Sequence, residues 1–252
     1  MLGLIDSGKY NIIEILTGND DYEASLCIDV AVKNDYAMYI VNKYKSKNSL
    51  REFLPMYYAL SKEECRDYVD LITASGSVMA MFRYHSGIKF YEYFVKGSTL
   101  IYEERLKYAN ALLSAALELD MIDSYFAYCA LQSDNVRVDT ANSRIDFNYM
   151  VPPQTGDIPD NFRADSLGNM LRALFPHERL LPVEIEDFCE DVAEGRFRTC
   201  LEIYSGWRAI QTAAAKTYSL YQRESFLQYL VRDFRRKRYL KKRRARAAAK
   251  NN

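Results

Sequence analysis

The chain has 252 residues, 49% of them apolar and 27% charged, which suits one globular domain with a substantial core. It has no window of 18 uncharged apolar residues, which argues against a membrane-spanning helix, and its first six residues turn polar too soon for a secretory leader. The formal net charge of zero hides an acidic body, with 33 Asp/Glu against 23 Lys/Arg, joined to a basic tail from Arg232 onward, with eleven Lys/Arg against one Asp.

In chain order, Tyr10–Leu16, Glu23–Ala31 and Tyr36–Tyr44 read as three strands of an antiparallel meander. The polar turn Thr17–Tyr22 and the turn-like Lys33-Asn34-Asp35 separate them. Asn48–Leu60 and Lys62–Ile72 read as helices, the first interrupted by Pro55 and the second opened by the capping-box pattern Ser61-Lys-Glu-Glu64. Ser77–Tyr84 and Ile88–Phe94 return to strand character around His85-Ser86-Gly87.

Apolar residues at Leu106, Ala109, Leu112, Leu113, Ala116 and Leu117 predict a long buried helix over Tyr102–Leu119. Prolines make Met150–Asp160 a loop. Ala164–Phe175, Glu184–Ala193 and Arg198–Gln211 read as helices. From Ala213 the chain stays helix-forming into the tail.

Five cysteines, an odd number without a C-x-x-C pair, read as reduced thiols of a cytosolic protein. Two histidines with no neighbouring cysteine cluster argue against a zinc site.

Tyr128-Cys-Ala-Leu-Gln-Ser-Asp-Asn135, followed by Asp146-Phe147-Asn148, resembles the protein-kinase pattern H-R-D-L-x-x-x-N…D-F-G. Leu131, Asn135, Asp146 and Phe147 match it, and Ser166-Leu-Gly168 resembles the start of the central kinase helix, although Arg163 stands at the Asp position of that segment. The resemblance implies an α+β, two-lobed fold. A small antiparallel N-lobe would cover about residues 8–95 and a mainly helical C-lobe about 96–231, with a basic helical tail at 232–252.

The same resemblance implies a degenerate site. Ala130 stands at the catalytic Asp, and a methyl group accepts no proton from an attacking hydroxyl. Ile40-Val41-Asn42-Lys43 resembles V-A-I-K, which would place Val41 over the adenine pocket and Lys43 at the phosphates. Lys43, Asn135 and Asp146 would then form a remnant nucleotide site, with Glu52, Glu63 or Glu64 as the lysine's partner. The structural alternative is that Asp146 and Asn135 hold local backbone.

The phosphate loop is absent. In its place, Leu16-Thr-Gly-Asn-Asp-Asp-Tyr-Glu23 has one glycine and presents Asp20, Asp21 and Glu23. Like charges about 4 Å apart repel by roughly 4 kcal/mol at an effective dielectric near 20. The expectation is a pseudokinase that is not an enzyme, needs no cofactor or metal, and serves as a scaffold for a protein partner. An atypical nucleotide-binding kinase remains the alternative.

In the tail, Arg235, Arg236, Lys237, Arg238, Lys241, Lys242, Arg243 and Arg244 are candidate contacts to an anionic partner. Anionic lipid at the inner membrane face is favoured. Nucleic acid and a solvated helix end remain open. A basic segment on the cytoplasmic side just before a membrane span is the layout of many bacterial kinases and pseudokinases, including the pseudokinase-like component of type VII secretion, which this tail resembles.

Overall fold

The computed structural model describes residues 4–5, 9–30, 37–74, 76–95, 99–154 and 156–250. The predicted turn Lys33-Asn34-Asp35 lies outside them. The first half is a six-stranded antiparallel sheet, ordered β1-β2-β3-β4-β6-β5. Its strands are β1 (Leu4–Ile5), β2 (Tyr10–Gly18), β3 (Tyr22–Asp29), β4 (Met38–Tyr44), β5 (Tyr68–Ala74) and β6 (Ser77–Arg83). Helix α1 (Lys47–Ala59) crosses between β4 and β5. Pro55 lies inside α1, and the helix continues through it because Phe53 and Tyr57 are anchored in the core on either side.

The sheet is apolar on both faces. Tyr22, Ala24, Tyr44, Ala80 and Phe82 join the main core, whereas Tyr10, Cys27, Val41, Met79 and Met81 form a separate small cluster. Alternation along β4 therefore sends Ile40 and Asn42 to one face and Val41 and Lys43 to the other.

Lys62–Ile72 differs from expectation. Its second half is strand β5. The Ser61–Glu64 reciprocal hydrogen bonds do form, at 3.2 Å each, but they close a turn. The pattern Tyr68-Val-Asp-Leu-Ile72 serves a strand as well as a helix, and pairing with β6 decides it.

Gly87 connects the halves. A Cβ there would lie 2.6 Å from the Val138 carbonyl oxygen, so the linker approaches β8 as only glycine permits. Next, β7 (Ile88–Lys89) pairs with β8 (Val136–Asp139), which pairs with β9 (Arg144–Phe147). The predicted strand Ile88–Phe94 is thus two residues of strand followed by the short helix α2 (Phe90–Tyr93).

The helical half is built on α3 (Tyr102–Ala116), where Ala109, Leu112, Leu113 and Ala116 are fully buried. Then come α4 (Ser124–Ala130), α5 (Phe162–Leu174), α6 (Val183–Ala193), α7 (Cys200–Gln222) and α8 (Phe226–Lys250). A Cβ on Gly168 would meet α6 backbone at Ala193 at 3.0 Å, so glycine allows α5 and α6 to pack closely. Arg163 joins Asp120 at 3.3 Å, and the Asp120 carboxylate accepts from the first amides of α7, at Cys200 and Leu201.

The basic segment is not a loose end. It turns back at Arg223–Ser225 and lies along α6. The α6 carboxylates Glu186, Asp187 and Asp191, with Glu194 just past its end, face it.

Candidate functional site: the interlobe cleft

A cavity of about 900 Å³ lies between the sheet and the helical half. Leu16, Gly18, Tyr22 and Ile40 line one side, and Tyr128, Cys129, Asp134, Asn135 and Arg137 the other. Asn148 and Met150 also line it.

Two amides of the turn after β2 are held by a side chain of the turn itself. The Asn19 side-chain oxygen accepts from the amides of Asp21 at 3.0 Å and Tyr22 at 2.9 Å. A glycine-rich loop would aim such amides at an anion, and here they are already satisfied.

Three buried asparagines organise the cleft. Asn42 Nδ2 donates to the Tyr149 carbonyl at 2.7 Å, and its Oδ1 accepts from Tyr22 Oη at 2.7 Å and Val151 N at 2.8 Å. Asn135 Nδ2 donates to the carbonyls of Cys129 at 2.7 Å and Met150 at 3.1 Å, and its Oδ1 accepts from Met150 N. Asn148 closes on the interlobe linker, accepting from His85 N at 2.9 Å and donating to His85 O at 3.2 Å. All three amides thus tie backbone, chiefly the segment 148–151, to its surroundings.

The predicted remnant site separates on this framework. Asn135 lines the cavity, and Lys43 does not. Lys43 sits opposite Glu23 and Met79 in the sheet, on the Val41 face, and Asn42 takes the inward position. Val41 belongs to the small cluster on the far face, so Ile40, not Val41, lines the cavity.

Asp146 also lies outside the cavity lining, as a β9 residue bonded to Arg144 at 2.7 Å and 4.0 Å from His85. Asn148, two residues further, reaches the cavity. Neither Lys43 nor Asp146 lines the cavity, because motif letters do not carry which face of a strand each residue occupies. Counting alternation from Ile40 in β4 carries the signal for Asn42, and the end of β9 at Phe147 carries it for Asn148.

Among the described residues, Lys43 has no ion pair with Glu52, Glu63 or Glu64. A neutral link joins the sheet to α1 instead. Tyr44 Oη donates to the Val151 carbonyl at 2.6 Å and lies 2.6 Å from Tyr57 Oη.

Ala130 is fully buried at the end of α4 and carries no polar group. Burial pushes the neighbouring Cys129 thiol up to about 12, so it is no ready nucleophile. Asp134 lines the cavity and is paired with Lys89 at 2.6 Å. Among the described residues, no three or more His, Cys, Asp or Glu side chains converge as a metal site would need.

No family model matches the sequence, and no curated protein matches it either. Solved structures do. The autoinhibited serine kinase domain of the giant muscle protein titin aligns with a TM-score of 0.54 at 14% identity, over 79% of each chain. The Mycobacterium tuberculosis PknI kinase domain aligns at 0.51 and 13% identity, over 80% of this chain and 96% of that one. The chain has a two-lobed, protein-kinase-like fold. At these identities the likeness establishes fold alone. Within this kinase-like fold, Asn135 and Asn148 line the interlobe cavity together with charged Lys89, Asp134 and Arg137, and Asn42 and Ala130 are fully buried behind the lining.

The candidate tail contacts divide into two sets. Arg236 donates to Glu186 and, at 2.7 Å, to Asp187. Arg243 donates to Glu194 at 2.6 and 2.8 Å and to Asp191 at 2.5 Å. Their side chains are only 12% and 10% exposed. Lys237 is exposed and pairs with Asp233 one turn back. Arg235, Arg238, Lys241 and Lys242 are exposed, and the Arg244 side chain lies outside the described residues. No described helix is long and apolar enough to cross a membrane.

Proposed function

We propose that this protein is a catalytically inactive kinase-like module that acts as a protein-interaction scaffold near the cytoplasmic face of a membrane. The observation that carries the reading is the commitment of Asn42, Asn135 and Asn148 to backbone hydrogen bonds in the framework around the cleft. A kinase stabilises transferring phosphoryl charge with a lysine, metal-holding side chains and a catalytic carboxylate. In this cleft the inward β4 position is an amide, the asparagine oxygens are engaged, and Ala130 carries no base. In the turn after β2, the amides of Asp21 and Tyr22 are engaged by Asn19. The exposed cations of α8 support placement beside an anionic surface, where each contributes about 1 kcal/mol of attraction.

Incubation with radiolabelled ATP and Mg²⁺, with generic substrates and with the protein itself, tests the inactive reading. The expected result is no label above a heat-treated control and no magnesium-dependent thermal shift with ATP. Label incorporation that disappears in Asp134→Asn would overturn the reading, because Asp134 supplies a carboxylate to the cleft.

A further inference from the structure

Helix α8 has a second face that the body does not cover. Arg232, Arg236, Leu240 and Arg243 point inward. On the opposite side Leu227, Leu230, Val231 and Phe234 follow the i, i+3, i+4, i+7 spacing of one helical face, with Leu227 74% and Phe234 68% exposed. The same outward side continues into Arg238 and Lys241, flanked by Arg235 and Lys242, all exposed. The one acidic residue of α8, Asp233, is turned to His177, 2.7 Å away. The outward face is therefore an apolar patch followed by a purely cationic patch.

We propose that this face lies flat on an anionic lipid bilayer, with Leu227, Leu230, Val231 and Phe234 inserted below the headgroups and Arg235, Arg238, Lys241 and Lys242 on the phosphates. Charge complementarity selects the occupant, because a surface that is anionic outside and apolar just beneath matches both zones at once. A polynucleotide matches the cations and leaves four exposed aliphatic and aromatic side chains in water. Arg236 and Arg243 hold α8 on α6, and Arg232 ties its start to Glu224 and the Arg179 carbonyl, so the helix meets the bilayer as a rigid edge of the domain. This inference rests on the membrane-face reading above and adds the inserting residues and the orientation.

Phe234→Trp in the full chain tests it. The native tryptophan, Trp207, is fully buried and gives a constant background. Vesicles of phosphatidylcholine alone and mixed with phosphatidylserine are the probes. With anionic vesicles the expected result is a blue-shifted emission and co-sedimentation, both weakened by salt. Leu227→Ser with Phe234→Ser should lower vesicle affinity at least about tenfold, and Arg238→Gln and Lys241→Gln about fivefold each.

Vesicle binding with no blue shift, and unchanged in the serine variant, would overturn insertion while leaving the membrane-face reading intact. No vesicle binding would overturn both, with the inactive-scaffold reading still judged by the ATP experiment. Tighter salt-dependent binding to duplex DNA would overturn the proposal in favour of nucleic acid. A solution dimer lost in the serine variant would assign the face to a second copy.

Discussion

Replacing Asn42 with alanine is the most direct test of the amide framework. The side chain is fully buried, and its loss strands three buried partners: the Tyr149 carbonyl, the Val151 amide and the Tyr22 hydroxyl. Each unsatisfied buried group costs about 1–3 kcal/mol, and local rearrangement recovers part, so a total of about 3–5 kcal/mol is expected. That is a large share of the roughly 5–15 kcal/mol that stabilises a typical domain. In urea unfolding followed by circular dichroism, a slope of about 2–3 kcal/mol per molar converts the loss into a midpoint lower by roughly 1.5 M, with the slope unchanged. Asn42→Lys should be destabilised at least as much, because it buries a cation with no carboxylate among its partners, and should gain no phosphoryl transfer. A loss below about 1 kcal/mol, or an Asn42→Lys protein more stable than the parent, would refute the reasoning.

Arg243→Ala removes the arginine that binds Asp191 and Glu194. Between the values for surface and buried pairs, about 2 kcal/mol of docking is expected to go. Hydrogen exchange in the second half of α8 should quicken about thirtyfold while α3 is unchanged. The hydrogen bond from Arg243 holds the Glu194 carboxyl below its ordinary value of 4.5. Its contribution is therefore complete above that value and is lost as pH falls through the depressed one. Protection of α8 should hold from neutral pH down to the ordinary carboxylate range and fall below it, with a smaller fall in Arg243→Ala. Gly168→Ala sets a gain in helix propensity against contact with Ala193 backbone at 3.0 Å. Overpacking should win, with a net loss of about 1–2 kcal/mol in the same urea assay.

Much of the fold was legible because its signals are local. Apolar spacing marked α3, and Leu131 and Asn135 marked the turn into β8. The strand β5 was read as helix because its pairing with β6, which sequence periodicity does not contain, decides it. At the site, motif letters point to Asn135, Lys43 and Asp146 alike, and of these Asn135 lines the cavity while the other two lie off it. Alternation along β4 and the end of β9 point to Asn42 and Asn148, but their roles become visible only once their backbone partners, Tyr149, Val151 and His85, are known. The tail's charge was obvious, but its division into docked and outward arginines depends on which side of α6 it meets.

The seam between α6 and α8 also changes what a deletion means. Cutting the chain after Val231 removes cations and, in the same act, takes Arg236 and Arg243 away from Glu186, Asp187, Asp191 and Glu194, leaving Arg196 beside the last two and His177 beside the first. The shortened protein is left ten charges negative by formal count, with a freshly uncovered anionic stripe that repels any anionic surface. A truncated body that shuns vesicles would therefore report new repulsion together with lost attraction. Point changes confined to the outward side separate the two, because they leave the seam closed.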